Sequence, residues 1–157
     1  MITFLNLGSM GRLGNQLFQY AALRSLSLKN NYEVKIPDPS TKNWHGQNCL
    51  LNKLNINVPF LEDSDLAKIK CVYKEKDTNK IDNNFYQIPD NVSLDGFFQS
   101  MFYFEKFSKE IKKELTPKLI YLKKAQDYIN SLKLKYPNYQ IVSVHVRRGD
   151  NMVNNQD

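Results

Sequence analysis

The chain has 157 residues, 41% of them hydrophobic, enough for one core of ordinary domain size. Its formal charge is +6, scattered as lysines with acids among them rather than gathered in a stripe, which speaks against a nucleic-acid footprint and for a solvated surface. Two cysteines without metal spacing, no membrane-length apolar run and no charged start of a secretion signal in residues 1–7 predict a reducing, cytoplasmic setting.

Residues 2–7 are a short apolar run, expected as the first strand. A loop with Gly8, Gly11 and Gly14 follows. Glycines let a backbone turn sharply and approach a ligand closely. A helix should start near Asn15 and run to about Lys29, with Leu17, Phe18, Ala21, Ala22, Ser25 and Leu28 on one side. Strand, glycine loop and helix open a doubly wound unit, and the helix N-terminus suits an anion. The loop has neither the G-x-G-x-x-G fingerprint nor a Gly-Lys-Ser/Thr ending, so a purely structural turn remains an equal reading. Residues 32–36 are expected as the second strand, closed by Pro37-Asp38-Pro39. Residues 40–92 carry less pattern. A short helix is expected over 61–69, a strand over 71–73 and a polar loop over 74–84. Trp44 and His45 read as local packing.

A strand then runs from Val92 into Gly96, and Ser100 is a suitable N-cap for a following helix. Phe104, Phe107, Ile111 and Leu115 take helical spacing there. The rings of Phe97, Phe98, Phe102, Tyr103 and Phe104 read as core. Thr116 should cap one more helix with Pro117 at its first position. Leu122, Ala125, Ile129 and Leu132 would be its buried face, and Lys133 and Lys135 would complement its dipole. Residues 141–146 are β-branched, serine or histidine, and read as a central parallel strand buried on both faces. That strand ends in His145, Arg147, Arg148, Gly149 and Asp150. Side chains alternate along a strand, so His145 and Arg147 share a face and Arg148 takes the other. Two guanidiniums outside a strand's carboxyl end suit phosphate or carboxylate oxygens. A surface loop whose arginines pair with local acids is the plain alternative. If the first and last strands are neighbours, Asn15 and Gln16 face His145 and Arg147 across one crevice. The fold expected is α/β with a largely parallel sheet flanked by helices.

Three segments together resemble one family. Gly11-Arg12-Leu13-Gly14-Asn15-Gln16-Leu17-Phe18-Gln19-Tyr20-Ala21 is similar to the N-terminal signature of the alpha-1,2-fucosyltransferases, glycosyltransferase family 11. Asp95-Gly96-Phe97-Phe98-Gln99-Ser100, with Tyr103-Phe104 after it, resembles the family's middle element. His145-Val146-Arg147-Arg148-Gly149-Asp150 matches its H-x-R-R-x-D motif. The resemblance implies a Rossmann-like N-terminal half of a GT-B architecture, with residues 1–150 as one domain and 151–157 as a polar, disordered tail. It implies transfer of L-fucose from GDP-fucose to a galactose 2-hydroxyl, with inversion, without metal or cofactor. Arg147 would meet the charge growing on the β-phosphate, and His145 would hydrogen-bond phosphate or position the donor. Asn15 would reach the donor, with Gly14, Arg12 and Gln16 beside it. Arg148 would brace the loop. Asp150 would either take the acceptor proton or orient Arg148, orientation being favoured. Family members run on into a second half that holds guanine and ribose, and usually carry tyrosine where Asn151 stands. The resemblance therefore implies a missing C-terminal half and an inactive or weakly active piece. Expected partners are GDP-fucose and a galactose-terminated glycan, with no nucleic acid and at most weak peripheral membrane association. A non-catalytic nucleotide- or phosphate-binding module stays open, as does a basic nucleic-acid-binding domain, which steep salt dependence would reveal.

Overall fold

The computed structural model describes residues 1–78 and 80–146. The chain divides into two compact units, Met1–Lys118 and Leu119–Asp157.

The first unit is mixed α/β around a small parallel sheet. The first strand is its centre. Ile2 bridges Val34 on one side and Thr3 bridges Ser93 on the other, both parallel. The backbone bonds alternate between partners: Ile2 N–H donates to the Glu33 carbonyl at 2.7 Å, and Thr3 N–H to that of Val92 at 3.0 Å. Farther out on one side Ile36 bridges Phe60. On the other, β4 (Val92–Asp95) pairs with β3 (Cys71–Lys74), Cys71 opposite Val92 and Lys74 opposite Asp95. Ile2, Thr3, Phe4, Val92, Ser93 and Leu94 are all buried, as strands covered on both faces must be. The first strand is shorter than its apolar run. The chain turns from Leu5, and Leu7 N–H closes on the Phe4 carbonyl at 2.9 Å.

α1 (Leu13–Asn30) returns the chain from the first strand to the second. It buries Ala21, Ala22 and Ser25, whose small side chains permit close approach, together with Tyr20, Leu23 and Leu26. Each fully buried large side chain is worth roughly 1.5–3 kcal/mol, so this face anchors the helix firmly. Asn31 ends it in the left-handed conformation at φ 54°, which asparagine tolerates. β1 (Asn43–Trp44) and β2 (Gln47–Asn48) form a small antiparallel hairpin. α2 (Asp63–Leu66) lies within the expected 61–69 span. Its Asp65 is buried and accepts from Lys35 Nζ and Lys68 Nζ, both at 2.8 Å, and from the Glu62 N–H at 3.1 Å.

Ser100 caps as expected, accepting from Phe102 N–H at 3.3 Å, but it starts a short 3-10 turn, Met101–Tyr103. A second turn, Glu105–Phe107, precedes α3 (Ser108–Glu114). Of the expected aromatic core, Phe98 and Tyr103 are fully buried, while Phe102 is 38% exposed. Pro117 does not begin a helix. It bridges Leu54, and Lys118 N–H donates to the Lys53 carbonyl at 2.8 Å.

In the second unit α4 (Leu119–Lys135) forms, but its expected apolar face is not buried. Ile129 and Leu132 are half-buried, and Leu122 and Ala125 are exposed. The expected strand over 141–146 is likewise absent. These residues take no regular structure, and Val142 and Val144 are 71% and 80% exposed. A strand needs a partner for its N–H and C=O groups, and no described residue pairs with this one. Among the described residues no helix is long and apolar enough to cross a membrane.

Candidate functional site

The site grows from two loops that leave the carboxyl ends of adjacent parallel strands. One follows the first strand and carries the glycines. The other, from Gly96 to Ser100, follows β4. That edge of a parallel sheet is where open α/β folds hold ligands.

Three glutamines tie the loops down. Gln16 is buried, and its Nε2 donates to the Gly11 carbonyl at 2.9 Å, while its Oε1 accepts from Cys49 Sγ at 3.4 Å. Burial pushes the Cys49 thiol pKa up, which keeps the donor proton in place. Gln19 is buried as well. Its Nε2 donates to the carbonyls of Met10 (3.2 Å) and Gly96 (3.1 Å), and so joins both loops from beneath. At the surface Gln99 Nε2 donates to Asn15 Oδ1 at 2.6 Å. The two loops are thus one hydrogen-bonded structure.

Their backbones are constrained to match. Gly11 has φ +82°, and a β-carbon there would sit 2.3 Å from Asn15 Nδ2. Only glycine lets Asn15 fold back over the loop. A β-carbon on Gly96 would meet Glu75 Cβ at 2.5 Å. The Glu75 carboxylate accepts from the N–H groups of Phe97 (2.7 Å) and Phe98 (3.0 Å). Phe98 holds a left-handed φ of 50°, a conformation that costs a non-glycine residue roughly 1–3 kcal/mol. Its ring offsets that cost by full burial, edge-on to Phe4 and Tyr103 at centroid distances of 6.2 and 5.4 Å.

Gly14 differs from both. It lies in the first turn of α1, and nothing is within 4 Å of the place its β-carbon would take. The fold does not require glycine there. Arg12 occupies the N-cap position of α1 in extended conformation and lies exposed.

Asn15, Gln16, Gly14 and Arg12 are therefore brought together at one edge. The crevice expected between Asn15 and His145 is not described: His145 belongs to the second unit, where it is exposed. Arg147, Arg148 and Asp150 lie outside the described residues. Among the described residues no group of three or more His, Cys, Asp or Glu side chains converges on a metal position. Sequence reading missed Gln19, Gln99 and Glu75 as the fasteners of the loops. Two polar residues on the inward face of an apolar helix, Gln16 and Gln19, were the available signal. Glu75 stands in a polar tract and gave none.

A family model described as "Glycosyl transferase family 11" matches residues 3–157. A rat relative, "Galactoside alpha-(1,2)-fucosyltransferase 2", is 32% identical over 147 residues, covering 92% of this chain and 39% of its own length. The pig protein of the same name is 29% identical and covered over 41% of its length. An Escherichia coli "Alpha-1,2-colitosyltransferase" is 29% identical over 170 residues, covering 92% of this chain and 54% of that protein. The chain thus spans about two fifths of the length of the fucosyltransferases it matches. No solved structure matches it.

Proposed function

The chain belongs to glycosyl transferase family 11, and from that premise we propose that it carries the N-terminal part of a galactoside alpha-1,2-fucosyltransferase using GDP-fucose. The names of the rat and pig relatives support the acceptor and the linkage. The observation that carries the reading is the 2.6 Å bond between Asn15 and Gln99. It joins the two loop motifs into one rigid edge at the carboxyl ends of neighbouring strands. The open face of Gly14 leaves room for a ligand to approach the α1 N-terminus. In this reading the parallel sheet and α1 are the Rossmann-like half of a GT-B architecture.

The reaction is a displacement with inversion. The galactose 2-hydroxyl oxygen attacks the fucose anomeric carbon, whose bond to the β-phosphate oxygen breaks. GDP leaves with the electron pair, and the hydroxyl proton passes to a base. Arg147 stabilises the charge that grows on the β-phosphate, and such fixed donors act most strongly where charge develops. His145 hydrogen-bonds phosphate or positions the donor, and Asn15 reaches the donor from the glycine loop with Gly14, Arg12 and Gln16 around it. Arg148 braces the motif, and Asp150 orients it or accepts the proton. The chemistry proposed uses no metal or cofactor.

Calorimetric titration with GDP-fucose and with GDP tests this. The parent chain should bind the donor, and Arg147→Ala should bind it roughly 10- to 100-fold more weakly, the worth of a hydrogen bond to a charged group. Equal binding by parent and variant removes Arg147 from the site. Affinity for GDP with no preference for the fucosylated donor favours a binding module instead.

A further inference from the structure

A cleft of about 430 Å³ opens between the glycine loop and the β1–β2 hairpin. Its walls include Arg12 and Gln16 from the loop side and Trp44, Gln47 and Asn48 from the hairpin. The size falls within the roughly 300–1,000 Å³ usual for small-molecule sites. The hairpin is built to present these side chains. His45 and Gly46 both take positive φ (47° and 75°), the mirror-image turn that matches strand twist. The register sets Trp44 directly opposite Gln47, so both project from one face of the ribbon. His45 packs edge-on to the indole with centroids 4.5 Å apart and fixes its orientation. The pair is local packing, as the sequence suggests, and it also aims the indole at the cleft.

We propose that this cleft is the subsite for the galactoside acceptor, with the Trp44 indole as platform for the sugar ring and the Gln47 carboxamide as partner for its hydroxyls. The inference rests on the fucosyltransferase reading and names the place of its acceptor. The lining carries one cation, Arg12, among neutral side chains, which suits a neutral polyol better than a diphosphate. Galactose has an axial 4-hydroxyl, which leaves a continuous patch of C–H groups on its opposite face. Those weakly positive C–H groups complement the negative face of an aromatic ring. Glucose lacks that one-sided patch, so the platform should prefer galactose.

Trp44 is the single tryptophan of the chain, so its emission reports on this cleft directly. The 157-residue chain should be titrated with lactose, with maltose and, separately, with GDP-fucose. The expected result is a saturable emission change with lactose, half-complete on the order of 1 mM, and little with maltose. Gln47 is exposed, so Gln47→Ala should keep the free-protein spectrum while lowering lactose affinity roughly 3- to 10-fold, the range of a neutral hydrogen bond. No saturable response to lactose, an equal response to maltose, or an unchanged affinity in Gln47→Ala overturns the assignment. The two readings fail separately. A lactose response without donor binding leaves the subsite standing and takes the donor contacts out of these residues. Donor binding with a silent lactose titration removes the subsite alone.

Discussion

α1 and α4 are nearly equal in length, at 18 and 17 residues, and both carry apolar side chains at helical spacing. α1 buries nine residues and α4 none. Spacing is therefore only permission to bury a face. α1 connects two segments that pair at Ile2 and Val34, so a sheet stands ready to receive its inner side. α4 leads into residues 141–146, which pair with no described residue. Most helical stability in proteins comes from packing rather than from propensity, so the two should differ greatly in what they contribute.

The largest expected effect tests this directly. Leu23 in α1 is fully buried, and Leu23→Ala should cost about 2–5 kcal/mol through lost transfer energy and the cavity left behind. Leu122 in α4 is 38% exposed, and Leu122→Ala should cost less than about 1 kcal/mol. Urea midpoints at constant slope measure both. Comparable losses would mean that the α4 face is covered in solution, and the contrast between the helices would collapse.

A second effect is set by acid. The Asp65 carboxyl lies well below the usual carboxylate range, held there first by the hydrogen bond from Lys35, then by Lys68 and the Glu62 N–H. An acid with a depressed native pKa contributes stability above its unfolded value of about 3.9. That contribution is lost as pH falls toward the native value, because the unfolded chain then binds more protons. The midpoint of the parent should therefore decline below about pH 4. Asp65→Asn should start lower at neutral pH and decline less. Parallel curves would show that the Lys35–Asp65 pair is not what ties α2 to the strand that bears Lys35. The lesion should spare α4, so a helix signal that survives acid would sharpen the division of the chain.

Much of the first unit was legible because its signals are local. The apolar run at Ile2, the spacing of Ala21, Ala22 and Ser25, and the β-branched start of β4 each specify an element by themselves. The fasteners of the site were not legible, since they join residues far apart. Gln99 meets Asn15 across 84 positions and Gln19 meets Gly96 across 77, and no periodicity encodes such a pairing. The strand expected over 141–146 shows the opposite failure. Its composition is that of a buried strand, yet composition supplies no ladder partner. Likewise Pro117 has the fixed φ that suits a first helical residue, but its neighbours pair with another segment instead: Lys118 N–H donates to the Lys53 carbonyl, and the Thr116 carbonyl accepts from Asn55 N–H.

The contrast between buried pattern and open pattern recurs at single residues, and the smallest expected effect lies there. Gly11 and Gly14 stand three positions apart, one in the loop and the other in the first turn of α1. At Gly11 the positive φ and the Asn15 side chain both exclude a β-carbon, so Gly11→Ala should destabilise. At Gly14 the backbone is helical and the space is empty, so Gly14→Ala should stabilise by up to about 1 kcal/mol. Its thermal midpoint should rise by a few degrees. A fold gains nothing from a glycine in an exposed helical turn, and a ligand that must approach the backbone does. Gly14→Ala should therefore be the more stable protein and the weaker binder of GDP-fucose. Because the variant is expected to gain stability, lost affinity could not be blamed on misfolding. Undiminished donor binding in a stabilised Gly14→Ala would take Gly14 out of the site and leave Asn15 as the loop's contact with the donor.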